Sequence, residues 1–139
     1  MNRGGTFAAA GFALLAGHQA GDHLVQTDHQ AQHKASDGAK GWRAMAGHVA
    51  SYTACQAVAL AGLSAAGVKL RPSRALAALA VSAGTHAFID RRWPVVWWQD
   101  RTGSGPFVRL ADHGINGAYL SDQAAHVVCL YVAALVAAA

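Results

Sequence analysis

The chain has no glutamate, and its seven acidic residues are all aspartate. Charged residues of either sign make up only 13% of it, about half the ~25% usual in a soluble globular domain. A disordered or heavily solvated chain needs far more charge than this and is excluded. Cysteine is nearly absent. Cys55 and Cys129 sit alone in separate apolar stretches and form no CxxC pair, so neither a zinc ribbon nor a disulfide framework is indicated and both read as small buried residues. The Gly-rich stretch at residues 102–106 lacks the Lys-Ser/Thr of a phosphate loop and reads as a linker. No internal repeat of fixed period is present.

What remains is an apolar chain of 139 residues, 53% hydrophobic, with the length of one domain. Its formal charge is +4 with histidine neutral, and the basic residues fall in short clusters beside apolar stretches. Such clusters suit membrane headgroups, and no nucleic-acid motif accompanies them, so no nucleic-acid partner is expected. Four stretches carry no charge apart from occasional polar ends: residues 4–21, 44–68, 75–89 and 123–139. A bilayer-spanning helix needs ~20 such residues, with ~17 to 25 usual. The second stretch meets that length outright; the others reach it if Arg74 snorkels and their polar ends lie at the interface. Arg3 before the first stretch has the look of a signal peptide, but that stretch leads directly into His18 and Asp22 and is expected to be retained. The predicted fold is all-α: an up-down-up-down four-helix transmembrane bundle, with residues 1–139 forming a single helical membrane domain. The alternative on the same composition is an Ala-rich soluble helical bundle.

Eight histidines beside seven aspartates is an odd ratio, and their spacing says more than their number. Residues four apart on a helix stack on one face, so a His and an Asp at that spacing aim at one point in space. His18 and Asp22 stand this way near the end of the first stretch, His86 and Asp90 at the end of the third, and Asp122 and His126 at the start of the fourth. The second stretch contributes His48 near its start. Consecutive rods joined by short links alternate in direction, so the ends of the first and third meet the starts of the second and fourth. His18, Asp22, His48, His86, Asp90, Asp122 and His126 are therefore predicted at one level, near one mouth of the bundle.

Ionisable groups at membrane depth are costly unless they pair or bind a cation. Imidazole nitrogen with carboxylate oxygen suits zinc, manganese or iron, and these groups suffice for one or two divalent ions with a position left for water. Gln26, Tyr52 and Gln123 are predicted to orient the ligands from behind: Gln26 follows Asp22 by four residues, Tyr52 follows His48 by four, and Gln123 adjoins Asp122. No organic cofactor is indicated. His29 and His33 read as solvated loop residues, and His23, Asp112 and His113 fall outside the group.

Trp42, Trp93, Trp97 and Trp98 flank the same ends of the stretches as the cluster, which places an aromatic belt and the cluster at one interface. The connections on that side hold Lys34, Lys40, Arg43, Arg91, Arg92, Arg101 and Arg109, against Arg3, Lys69, Arg71 and Arg74 on the other. The excess of positive charge favours a cytoplasmic mouth in a multi-pass cell-membrane protein, with both termini outside. Gly62 with Ala66 permits close helix contact, within one chain or between copies, so a homo-oligomer is compatible with the sequence.

The pattern His18-x-x-x-Asp22-x-x-x-Gln26-Thr27-Asp28, Lys34, His48-Val49 with Tyr52, His86-x-x-x-Asp90 and Asp122-Gln123-x-x-His126 resembles that of a small bacterial and phage membrane-protein family, domain of unknown function 3307. The resemblance runs from about Leu15 to Tyr131. It implies a compact multi-span membrane protein with those polar positions as its hallmark, and it supplies no activity. The chain departs from the family in its Ala-rich helices, at His23, where an aromatic is commoner, and in the Trp-rich insert at residues 91–111. Residues and resemblance together point to a small integral membrane protein that binds one or two divalent metals at one membrane face. Such a centre is a candidate metal-dependent hydrolase for a lipid-linked or membrane-proximal substrate. The alternative is a non-catalytic membrane structural or interaction protein whose buried His/Asp network only sets helix register.

Overall fold

Polar residues decide where each apolar stretch begins and ends as a helix. In the computed structural model, which describes residues 2–139, the Asn2 side chain accepts a hydrogen bond from the Gly5 N–H at 2.9 Å and opens α1 (Arg3–Gln19). This helix runs on into a wider π-helical segment (Ala20–Val25). Thr27 and Gln30 then form a reciprocal capping box that starts the short α2 (Asp28–His33). After α3 (Gly38–Gly62), α4 (Pro72–Ile89) begins on Pro72, whose missing N–H is harmless in a first turn. Next come α5 (Trp93–Thr102) and α6 (Gly105–Val108), then a minimal antiparallel hairpin of β1 (Ala111–Asp112) and β2 (Ile115–Asn116), and finally α7 (Gly117–Ala138). The chain is all-α apart from that hairpin.

The four long helices close a ring in chain order: α1 packs on α3, α3 on α4, α4 on α7 and α7 on α1. Their directions alternate. Arg3, at the start of α1, donates from Nε to the carbonyl of Ala138 at the end of α7 at 3.4 Å, while His18, near the end of α1, meets Gln123 near the start of α7 at 3.0 Å. The interior divides along its length. One end is apolar, built from Ala10, Leu14, Leu60, Ala78, Leu130 and Ala134; the other holds buried polar residues.

Two glycines set how close α1 and α3 come. A methyl group on Gly17 would stand 2.7 Å from Gln56 Cα, and one on Gly21 would stand 3.0 Å from Tyr52 Cα. Both obstacles are backbone, so only glycine permits this approach. It brings the face of α1 bearing His18 and Asp22 against the face of α3 bearing His48, Tyr52 and Gln56.

Several expectations need correction. The second apolar stretch does not form one long span over 44–68: α3 starts earlier, ends at Gly62 and passes into turns that close at Gly67, which has a left-handed φ of 79°. A methyl group on Gly62 would meet nothing within 4 Å from outside its own helix, and the close helix contact falls at Gly17 and Gly21 instead. The polar connections are not plain loops, since they contain α2, α5 and α6. His29 and His33 lie on α2, exposed and half-buried respectively, with stacked rings 4.5 Å apart. Among the described helices, only α7 is long and apolar enough to cross a membrane by length and composition. Alanine explains the shortfall elsewhere: it makes a good helix former but a weakly hydrophobic one.

Gly17→Ala is expected to lower stability by about 1–3 kcal/mol by overpacking against the α3 backbone. Gly62→Ala, in open space, should leave stability within about 1 kcal/mol of the parent. Unfolding curves of the two purified variants check this; equal effects at both sites would contradict the close approach.

Candidate metal centre

Each long helix delivers one histidine to the polar end, and all four are almost wholly buried: His18 and His48 at 0% exposure, His86 at 1% and His126 at 2%. Two aspartates join them from the ends of their helices, Asp22 in the π-helical segment and Asp90 just past α4, at 7% and 2% exposure. Asp122, in the second turn of α7, is half-buried. The structure thus brings together all of the residues that their order and spacing predicted at one level.

The tightest grouping is Asp22, His48, His86 and Asp90. His48 Nε2 lies 3.0 Å from Asp22 Oδ1 and 3.1 Å from Asp90 Oδ2. His86 Nε2 lies 3.4 and 3.1 Å from the same two oxygens, and the two Nε2 atoms are 2.9 Å apart. Hydrogen bonding accounts for only part of this crowd. An imidazole Nε2 carries one proton at most and directs it at one acceptor, yet His48 Nε2 has the His86 Nε2, the Lys34 ammonium and two carboxylate oxygens around it. Asp22 Oδ1 and Asp90 Oδ2 in fact accept no hydrogen bond of sound geometry. A tetrahedral ion with bonds of about 2.0–2.1 Å separates its ligands by about 3.3 Å, and the spacings here run from 2.9 to 3.4 Å, most of them somewhat shorter. The donor set is compatible with zinc, manganese or iron.

Two further groupings share members with the first. His126 Nε2 stands 3.5 Å from Asp90 Oδ1 and 3.5 Å from Asp122 Oδ2, with no hydrogen bond of its own. His18, His86 and His126 form the other. Asp90 therefore turns one oxygen to each of two neighbouring sets of donors.

The predicted supporting residues divide. Gln123 does what its position suggested: its Oε1 meets His18 Nε2 at 3.0 Å, and its Nε2 reaches Asp22 Oδ2 and Asp122 Oδ2, both at 3.4 Å. Tyr52 acts on a different histidine from the one it follows. Its ring stacks on His86 at 3.6 Å and 16°, and its hydroxyl bonds Ser82 at 3.0 Å and receives the Gln56 amide at 2.9 Å. Gln26 reaches back to the Asp22 backbone carbonyl at 2.9 Å rather than to the carboxylate, because the wider π turn carries it off the His18–Asp22 face. Nδ1 of His18, His48 and His86 lacks a hydrogen-bond partner among the described residues, so stacking and packing orient these rings where metal-binding histidines usually use a carbonyl or carboxylate.

Lys34, one of the positions that carry the family resemblance but not assigned to the nest from spacing, also enters it. Its ammonium lies 2.9 Å from Asp90 Oδ2, 3.2 Å from His48 Nε2 and 3.7 Å from Asp22 Oδ1. Arg91 fixes the segment that carries it, donating to the carbonyls of Lys34 and Ser36 at 3.1 and 3.0 Å, pairing with Asp37 at 3.3 Å and lying over the Trp42 ring. Ser82 and Gln56 were missed by sequence reasoning, although each stands four residues from a recognised member on its helix. His23 remains outside the nest and bonds the Tyr119 hydroxyl at 2.9 Å. Asp112 and His113 stay exposed on the hairpin. Away from the site, Arg109 grips Asp100 through two hydrogen bonds of 2.6 and 2.9 Å and holds its carboxyl below the ordinary aspartate range.

Fold and site together define an all-helical protein with a buried His/Asp cluster able to hold a metal ion. The chain belongs to the family described as Protein of unknown function (DUF3307), which it matches over residues 11–139. No curated protein and no solved structure matches it.

Lys34→Met leaves two buried carboxylates without their ammonium and is expected to destabilise the metal-free protein by about 3 kcal/mol. Combining it with Asp90→Asn should recover at least about 1.5 kcal/mol of that loss, because the second change removes the uncompensated charge. Strict additivity in unfolding measurements on the four proteins of this cycle would contradict the Lys34–Asp90 pairing.

Proposed function

We propose that this protein is an integral membrane metalloprotein whose nest of Asp22, His48, His86 and Asp90 holds a divalent ion, and that it catalyses metal-dependent hydrolysis of a membrane-proximal substrate. The observation that carries the reading is the convergence of two imidazole nitrogens and two carboxylate oxygens at 2.9–3.4 Å, with neither carboxylate oxygen accepting a hydrogen bond of sound geometry. His126 and Asp122, with the second oxygen of Asp90, would hold a second ion. A divalent ion supplies Lewis acidity for hydrolysis. The chain's own residues would do the rest. Gln123 orients His18 and Asp22, Tyr52 steadies His86 by stacking, and the apolar packing beneath the nest keeps water to one side.

The outer surface supports the membrane part of the proposal. Large apolar side chains point outward from every long helix: Phe12 is 75% exposed, Val58 73%, Leu76 68% and Val128 64%. An interior that is polar at one end beneath an apolar exterior suits a chain solvated by lipid. Trp42, Trp93, Trp97 and Trp98 are also exposed, as an aromatic belt requires. The orientation with a cytoplasmic site belongs to this proposal, although Lys34, being buried, no longer counts toward the loop charge that favours it.

One observation favours the non-catalytic alternative. Lys34 already supplies one positive charge to the two carboxylates, so a metal-free network with a protonated histidine would also be balanced.

Metal analysis of native, detergent-purified protein decides between them. At least one divalent ion per chain is expected, falling below a tenth of that in His86→Ala and Asp90→Ala, with thermal stability lost in parallel because binding energy is folding energy. A metal-free native protein that withstands chelators unchanged would contradict the proposal.

A further inference from the structure

We propose that the cavity beside the nest binds a phosphate group of the substrate, and that Arg92 is the residue that selects it. This rests on reading the nest as a metal centre. The cavity has a volume of about 430 Å³ and lies where the π-helical segment, α2, the α4–α5 corner and the start of α7 meet. That is large enough for a small substrate. Asp22, Asp90 and Asp122 line it, so the cavity abuts the nest on its carboxylate side, with the histidines behind. Lys34 and Arg92 line it as well.

The backbone at Arg92 is unusual. Its φ and ψ are 64° and −42°, and the Trp93 N–H donates to the Arg91 carbonyl at 2.7 Å, so Arg92 sits at the centre of a γ-turn of the strained hand. Glycine would relieve that strain at once, yet the position carries a long cationic side chain. The two consecutive arginines are used in opposite ways. Arg91 is committed to Asp37 and to the carbonyls of Lys34 and Ser36, whereas the Arg92 guanidinium has no ion pair or hydrogen bond among the described residues. The strained turn thus places an exposed arginine with an uncommitted guanidinium among the residues that line the cavity.

Charge identifies the ligand class. Three carboxylates outnumber Lys34 and Arg92 in the cavity lining, so without metal the cavity repels an anion; one divalent ion reverses that balance. Arg92 and Lys34 line this space, and an ion held by the nest would add its charge from behind the carboxylates. A dianion with several oxygens matches three cationic centres better than a carboxylate does, and a guanidinium binds phosphate through paired hydrogen bonds. Val95, Val96 and Val108 provide an apolar flank for an attached organic group. Free phosphate and a phospholipid headgroup present this same chemistry.

The test uses the full chain in detergent, loaded with manganese, its metal content measured by mass spectrometry, and titrated calorimetrically with inorganic phosphate and with dihexanoyl phosphatidic acid. Phosphate should bind the loaded protein at least tenfold more tightly than the metal-free protein. Arg92→Gln should weaken that binding about tenfold with unchanged manganese content, and Arg92→Lys less so. Arg92→Gly should raise the melting temperature while losing phosphate affinity, which a merely structural arginine would not do. Tighter binding of the phosphatidic acid assigns the site to a lipid headgroup, and equal binding to phosphate itself; either supports the proposal. Stoichiometric manganese with no binding of either ligand, or wild-type affinity in Arg92→Gln, overturns it. A chain that takes up no manganese overturns the metal reading, and this inference with it, and the metal content alone identifies that case.

Discussion

The carboxylates of Asp22 and Asp90 are held out of water with one ammonium, that of Lys34, and no other Lys or Arg within 4 Å among the described residues. Burying two negative charges against one positive charge is unfavourable by several kcal/mol unless a further cation arrives or a histidine is protonated. Much of the architecture serves that encounter. Alternating helix directions bring four imidazoles to one level, and the glycines at positions 17 and 21 let α1 lie against the α3 backbone. The guanidinium of Arg91 ties down the segment from which Lys34 reaches inward. Crowded nitrogens and oxygens with poor hydrogen-bond geometry are the expected signature of donors arranged around a shared centre.

The outside of the bundle follows a different rule from the inside. Apolar side chains cover the long helices while the polar groups face one another, so the hydrophobic effect in water does not explain this distribution by itself. The proposed lipid surroundings would favour the same arrangement, with acyl chains against the apolar exterior. The weak hydropathy of α1, α3 and α4 comes from their alanines and glycines. Those small residues allow close helix packing, and the close packing narrows the polar end around its ligands.

Much of the site was legible in the sequence because three His/Asp pairs obey the helical four-residue spacing, and chain alternation turns spacing into common depth. The same rule, carried one turn further, finds Gln56 after His48 and Tyr52, and Ser82 before His86 and Asp90. Lys34 stood out only through the family resemblance, and its inward role did not follow from spacing. It lies at the end of a short helix within a polar connection, where a lysine ordinarily faces water, and Arg91 holds its backbone carbonyl. The π-helical widening at Ala20–Val25 has no signature in residue type, so Gln26 was assigned to a face that it does not share. The helix contact was misplaced at Gly62 because small residues four apart occur in several places, and only packing shows which pair meets a neighbour.

X-ray absorption at the metal edge of natively purified protein tests the central claim most directly. The account expects a first shell of nitrogen and oxygen only, with at least two imidazole contributions at about 2.0–2.1 Å. A sulfur scatterer, a shell of oxygen alone, or no metal edge at all would contradict it.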